Sequence, residues 1–448
     1  MLLLCPEWIA PVAPRPDVLS GHAVVVDGDR ISAVLPKDAA LALHPDAERV
    51  DLPGHLLIPG LVNLHTHVAM TLLRGIGDDL ALRPWLEQRI WPLEQALASP
   101  EFVFDGAMIG CAEMLLGGTT CFNDMYFHPE QVAAAAAVFG MRASLGIIVF
   151  EFPSSYGTGP QDYLRKGLDL RDRLRDDPLV SFCLAPHAPY TVSDDSFRQV
   201  ASLAAETGMR IHCHVHETVQ EVVDSLAQTG RRPLRRLADL GILGPELIAV
   251  HMVHVDDSDL ALLASHGASV AHCQQSNLKL ASGIAQSTRM RELGINVGIG
   301  TDGAASNNRL DLLLEGRTAA LVAKGVTGDA TVWSAHETLE AMTLGGARAL
   351  GLDDRIGSIE PGKAADLVAV DLTHLQTLPV FDPVSQLVYA AGREQVSDVW
   401  ISGRAVVRKR QLAESPVRTR LDEVVGRCRI WHNRIAETLA SRGRVSNS

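Results

Sequence analysis

His65 and His67 stand two residues apart at the end of an apolar run, Pro59-Gly-Leu-Val-Asn-Leu-His-Thr-His67. Alternate residues of a strand face the same side. Both imidazoles can therefore be offered to one point in space, which is what a metal ion needs. Further on, His187, His212 with His214, His251, His272 and Asp302 close other apolar runs. A lone strand-end histidine is more often a hydrogen-bonded core group than a ligand, but several along one rim are poorly explained by chance. Imidazole and carboxylate are zinc donors, and a catalytic site leaves one position for water. His65, His67, His214 and Asp302 would supply three nitrogens and one oxygen. A cation so held lowers the pKa of water from about 15.7 to near 7. Glu217, three residues after His214, is placed to carry the proton, since a carboxyl in a dry pocket keeps its proton more readily. His212 lies one pleat deeper than His214 and is expected behind the site. His216 and His254 lie past the strand ends and are expected to be structural.

These residues need a scaffold that brings distant strand ends together. Eight strand-like apolar runs are expected: Gly60–His65, Thr119–Asp124, Ala143–Phe150, Val180–His187, Arg210–His214, Ile248–His251, Ser269–His272 and Asn296–Thr301. Helical patterns such as Ser196–Thr207 separate most of them. That repeat predicts an α/β fold, a (β/α)8 TIM barrel, whose chemistry sits at the carboxyl ends of the strands. Near-continuous apolar runs suit strands covered on both faces. Both chain ends read as short strands, with a hairpin expected around Asp27-Gly28. Neither end has enough strands for a stable sheet. The expected organisation is a small composite β-sandwich from 1–59 plus 356–411, a barrel over 60–355 and a helical extension over 412–448. Within that extension 418–442 reads as an amphipathic helix.

The chain has 448 residues, 47% of them hydrophobic, and 40 Lys+Arg against 53 Asp+Glu give a net charge of −13. That composition excludes a largely disordered chain. The acidic balance argues against nucleic-acid or anionic-membrane binding, which a basic face drives. No apolar run approaches the roughly 18–20 residues of a membrane span, and the start lacks the basic region of a secretory signal. Seven scattered cysteines without a CxxC pair suit reduced thiols in a cytoplasm.

The ordered motifs PGLVNLHTHVAMTLLRG, CFNDMYFHP, APHAPYTVS, HVHET, SNLKL and GTDGAASNN resemble those of the amidohydrolase superfamily. Within its cytosine-deaminase-like branch they are most similar to the 5′-methylthioadenosine/S-adenosylhomocysteine deaminases, over essentially the whole chain. The resemblance implies hydrolytic deamination of an adenine nucleoside at C6. It also implies one divalent ion on His65, His67, His214 and Asp302, with Zn2+ first and Fe2+ or Mn2+ compatible with the same donors. Binuclear relatives place a carboxylated lysine at the end of the fourth strand; here Ala185-Pro186-His187 stands there, which implies a single metal. By the same resemblance Glu217 protonates N1, His251 orients the water, and Asp302 is both ligand and base. His187 lies near the ribose, Glu94 takes both ribose hydroxyls, and Trp85 forms an apolar wall.

One departure bears on the substrate. Relatives that accept S-adenosylhomocysteine carry arginines after the third strand, whereas Gly146–Gly159 here has none and contains Phe150, Phe152 and Tyr156. A carboxylate without a cationic partner is poorly held, and an apolar methylthio group is not. Methylthioadenosine is expected over S-adenosylhomocysteine, with adenosine allowed. The rivals are a deaminase of a free base (guanine, 8-oxoguanine, cytosine) or a triazine hydrolase, and a non-catalytic scaffold of the same fold. The cytidine-deaminase type is excluded because its Pro-Cys-x-x-Cys ligands are absent. A small nucleoside is the expected partner, with self-association left open.

Overall fold

The eight apolar runs become eight parallel strands in the computed structural model, which describes residues 1–445. They are β1 (Leu61–Thr66), β2 (Thr119–Asp124), β3 (Arg142–Val149), β4 (Val180–Pro186), β5 (Arg210–Val215), β6 (Leu247–His251), β7 (Ser269–His272) and β8 (Val297–Ile299). Each hydrogen-bonds to the next in chain order, and helices such as Asp194–Thr207 and Asp257–His266 return the chain between them. Their side chains are buried on both faces for most of their length, β1, β2 and β3 throughout, as parallel strands under helices must be. The eighth run is shorter than expected, because the chain bends away after Ile299.

That bend closes the barrel. Asn63 Nδ2 donates to Thr301 Oγ1 (2.8 Å), Thr301 N donates back to Asn63 Oδ1 (2.9 Å), and Asp302 N donates to His65 O (3.0 Å). The seam thus fixes Asp302 directly beside His65. Gly300 permits the approach: a Cβ there would lie 2.8 Å from His65 Cβ and 2.9 Å from His65 N. Gly300→Ala is expected to wedge β8 from β1, costing about 1–3 kcal/mol and loosening bound metal. Thermal unfolding and metal analysis of the purified variant check both effects.

The two ends of the chain form one nine-stranded sheet. Glu48–Pro59 pairs parallel with Leu2–Ile9 on one side and antiparallel with Leu367–Asp371 on the other. Leu4, Ile31, Leu57, Leu367 and Trp400 share one core, and Gly403 packs so tightly on Gly28 that a Cβ would fall 2.2 Å from Gly28 O. The sheet therefore curls until its ends meet. The hairpin turns on Gly28-Asp29, one residue later than expected, with Asp27 opposite Arg30 and Gly28 at φ 59°. Arg142, at the start of β3, donates to Asp366 Oδ2 (3.0 Å) and joins this sheet to the barrel end remote from the histidines.

The C-terminal helix spans Ser415–Val445, longer at both ends than the expected 418–442. Arg427 Nε (2.8 Å) and Trp431 Nε1 (2.9 Å) both donate to the buried Asp105 carboxylate of the helix Pro100–Leu116. Residues 446–448 of the expected extension lie outside the described residues. Among the described residues no helix is long and apolar enough to cross a membrane.

Candidate metal centre and active-site cavity

Residues from three strand ends, β1, β5 and β8, converge at the rim. His65 Nε2 and His67 Nε2 each lie 3.3 Å from Asp302 Oδ1, and His214 Nε2 lies 3.3 Å from His65 Nε2. Donors about 2.0–2.2 Å from one ion at tetrahedral angles would be about 3.3–3.6 Å apart, so the His65, His67 and Asp302 trio has the spacing of a small cation's ligands, and His214 stands beside it against His65. The far side of each ring is held. His67 Nδ1 donates to Met125 O (2.6 Å) and His214 Nδ1 to His187 O (2.7 Å). A carbonyl can only accept, so each Nε2 keeps its lone pair for a cation. His65 Nδ1 meets His212 Nε2 at 2.9 Å, which places His212 behind the site as expected.

The electrostatics suit metal binding. Burial pushes the His65 imidazole down to about 4 against the pull of Asp302, and holds His214 well below the usual histidine range. Both rings are therefore neutral at pH 7. Burial opposes charge on Asp302, but its hydrogen bond with His65, with the imidazoles of His67 and His251 nearby, keeps its carboxyl well below the ordinary range. Asp302 sits in the left-handed region (φ 62°), a backbone state found at functional sites. Its Oδ1 accepts from Gly303 N (2.7 Å) and its Oδ2 from Ser276 Oγ (2.6 Å).

Glu217 is buried beside this cluster. Its Oε2 is 3.6 Å from His251 Nε2, and Ser282 Oγ donates to its Oε1 (3.2 Å). Burial, followed by the Asp302 charge, raises its carboxyl to about 8, so the group is protonated at neutral pH. His251 Nδ1 donates to Asn277 Oδ1 (2.9 Å). Its ring also lies close enough to His65 and His214 to form a second candidate ligand trio.

Above the cluster opens a cavity of 460 Å³ whose walls include Trp85, Glu94, Tyr126, Phe150, His187 and Glu217. Trp85 and Glu94 come from a run of short helical turns over 82–97 that covers the barrel mouth. Burial raises the Glu94 carboxyl to about 7, with Tyr126 and His67 acting the other way. Phe150 packs at a tilt against His187 (4.7 Å between centroids) and Phe152 (4.8 Å). Among the described residues no lysine or arginine lines the cavity, whereas Glu87 and Glu94 do.

Some expectations from the sequence land elsewhere. Tyr156 does not reach the cavity; it packs against His128 and Tyr163, and Phe127 takes the place beside Phe150. His272 is buried near Trp333, away from the ligand cluster. His216 accepts from Leu234 N and donates to His254 O, a packing role as expected. Ser276, Asn277 and Ser282 also reach the site, although only the first two fall in the SNLKL motif; nothing in a single chain marks which strand end a short helix will face.

Residues 56–406 match the Amidohydrolase family, and residues 16–57 match the NagA composite domain. The chain is 47% identical over 406 residues to a protein of Teredinibacter turnerae named 5-methylthioadenosine/S-adenosylhomocysteine deaminase, covering 91% of this chain and 92% of that one. A protein of the same name from Saccharophagus degradans is 45% identical, with 92% of each chain covered. A crystal structure of an adenosine deaminase from Xanthomonas campestris with bound zinc superimposes with a TM-score of 0.94 at 49% identity, covering 97% of this chain and 98% of that chain.

Proposed function

Because the chain belongs to the amidohydrolase family, we propose that it is a metal-dependent deaminase of adenine nucleosides. The reaction replaces the exocyclic amine at C6 by oxygen: water adds at C6, the C6–N bond breaks, and the inosine analogue leaves with ammonia. The observation that carries this proposal is the meeting of His67 and Asp302 on one side of His65 and of His214 on the other, each contact at 3.3 Å, under a cavity that also holds the buried Glu217. The four donors suit one divalent cation, zinc first, whose Lewis acidity makes water acidic enough to attack at neutral pH.

The chain's own groups manage the protons. Addition at C6 loads negative charge onto N1, so an acid placed there stabilises the transition state more than the ground state. Glu217 delivers that proton to N1 and recovers one from the C6 hydroxyl as the carbonyl forms. Asp302 takes the proton released by the attacking water and passes it to the departing amine, which avoids expelling an amide ion. His251, 3.6 Å from Glu217, orients the water. Glu94 accepts from the ribose hydroxyls, His187 packs near the ribose, and Trp85 walls the base. A cavity that continues past the base to Glu94 and the Phe150 wall favours a nucleoside over a free base or triazine. With every ligand and the proton carrier retained, a non-catalytic scaffold is disfavoured.

Substrate preference follows from charge. Among the described residues no lysine or arginine lines the cavity to meet a 5′ carboxylate, and Arg83, paired with Glu87 at 2.9 Å, is turned out to solvent. Methylthioadenosine is expected to exceed S-adenosylhomocysteine in kcat/KM by at least about tenfold, with adenosine accepted. Steady-state assays on the three nucleosides check this, and equal or better values for S-adenosylhomocysteine would contradict it. Seven free cysteines, six of them buried, fit a reducing cytoplasm, and the net charge of −13 fits a small-molecule partner rather than nucleic acid.

A further inference from the structure

Each of the three proton-handling groups is hydrogen-bonded to one stretch of seven residues after β7. Ser276 Oγ donates to Asp302 Oδ2 (2.6 Å), Asn277 Oδ1 accepts from His251 Nδ1 (2.9 Å), and Ser282 Oγ donates to Glu217 Oε1 (3.2 Å). The acid, the water-orienting imidazole and the base come from three different strand ends, yet their angles are set by one element. We propose that residues 276–282 form a single orienting segment that holds Asp302, His251 and Glu217 in register for the transition state. The inference rests on the proposed deaminase reaction and assigns to it three positioning residues, Ser276, Asn277 and Ser282, that stand behind the cavity wall.

The anchoring of the segment supports this role. Its helix, Gln274–Lys279, is too short to be stable alone, so tertiary contacts must hold it. At one end the fully buried Glu315 carboxylate accepts from Gln275 N (2.8 Å) and Gln275 Nε2 (2.7 Å). At the other, Lys279 Nζ donates to Ala305 O (2.9 Å) and pairs with Asp78 (2.7 Å). Ala305 lies three residues after Asp302 in the loop that follows β8, so the segment is fastened to the base and to the loop that carries it. Groups that orient a metal ligand or a catalytic side chain from behind typically change activity 10–100-fold when removed, and a fixed angle matters most at the transition state.

The test compares the full-length metal-loaded protein with Asn277→Ala, Ser276→Ala and the hydroxyl-retaining Ser276→Thr. For Asn277→Ala and Ser276→Ala, kcat is expected to fall about 10–100-fold with KM within about twofold, metal content unchanged and Ser276→Thr partly restored. Calorimetry should show the same loss in affinity for a nucleoside analogue carrying a tetrahedral hydroxyl-bearing carbon in place of C6, with product affinity kept. Unchanged kcat and analogue affinity would overturn the proposal. So would metal loss, or a KM rise matching the fall in kcat, which would assign the segment to folding. Should Asn277→Ala fail to fold, deletion of one oxygen in Ser276→Ala carries the test. An unsubstituted protein inactive on every adenine nucleoside would instead refute the deaminase reaction itself.

Discussion

Glu217→Gln is expected to lower kcat by about 10³–10⁴-fold while metal content, fold and nucleoside affinity stay close to those of the parent. Glutamine keeps the size and the acceptor oxygen that meets Ser282, but it has no transferable acidic proton for N1. The sign of the pH dependence follows from the same group. Glu217 acts in its protonated form, so activity must fall as pH rises through its pKa. Burial lifts that value from 4.5 to about 8, and a bound dication draws it back down. The alkaline fall in kcat/KM should therefore begin between the ordinary carboxylate range and about pH 8. Glu217→Gln should lose that limb from whatever activity remains. Stopped assays across pH with parallel metal analysis check both points, and a variant retaining a tenth of parental kcat would refute the proton-carrier role.

Asp302→Asn carries the second large effect, because one residue serves two functions. As a ligand it supplies an anionic oxygen 3.3 Å from both His65 and His67 Nε2. As a base it must be ionised, and the imidazoles around it keep it so. The amide keeps the volume and can still accept from Ser276, so the barrel should remain folded. Metal affinity should fall by at least about tenfold, and kcat by about 10⁴-fold even when metal is supplied in excess. Retained turnover with full metal loading would show that neither role belongs to this side chain.

The barrel was legible because its strands are long apolar runs and its ligands sit at a period of two: His65 with His67 declares a shared face, and Asp302 ends the last run. His212 was legible as a group behind the site by the same pleat. The ring of Tyr156 was not, since an aromatic in a loop has no period to tell cavity wall from packing, and Phe127 fills that wall instead. The eighth strand was drawn too long because only tertiary closure shows the chain leaving it, where Gly300 lets the backbone close on His65. The Ser276, Asn277 and Ser282 contacts span 26, 26 and 65 residues, distances at which sequence pattern is silent. The proposed roles of Glu94 and Trp85 came from resemblance; helical spacing over 82–97 only shows that they can face the same mouth.

The most direct measurement incubates the purified protein, loaded with one equivalent of zinc, with methylthioadenosine. Ammonia and the hypoxanthine nucleoside are followed together. The account predicts equimolar release of both, with the ring oxygen drawn from labelled water, loss of the reaction on chelation and its return when zinc is restored. A protein that binds zinc yet releases no ammonia from any adenine nucleoside, or that reacts equally well after the metal is stripped, would contradict it.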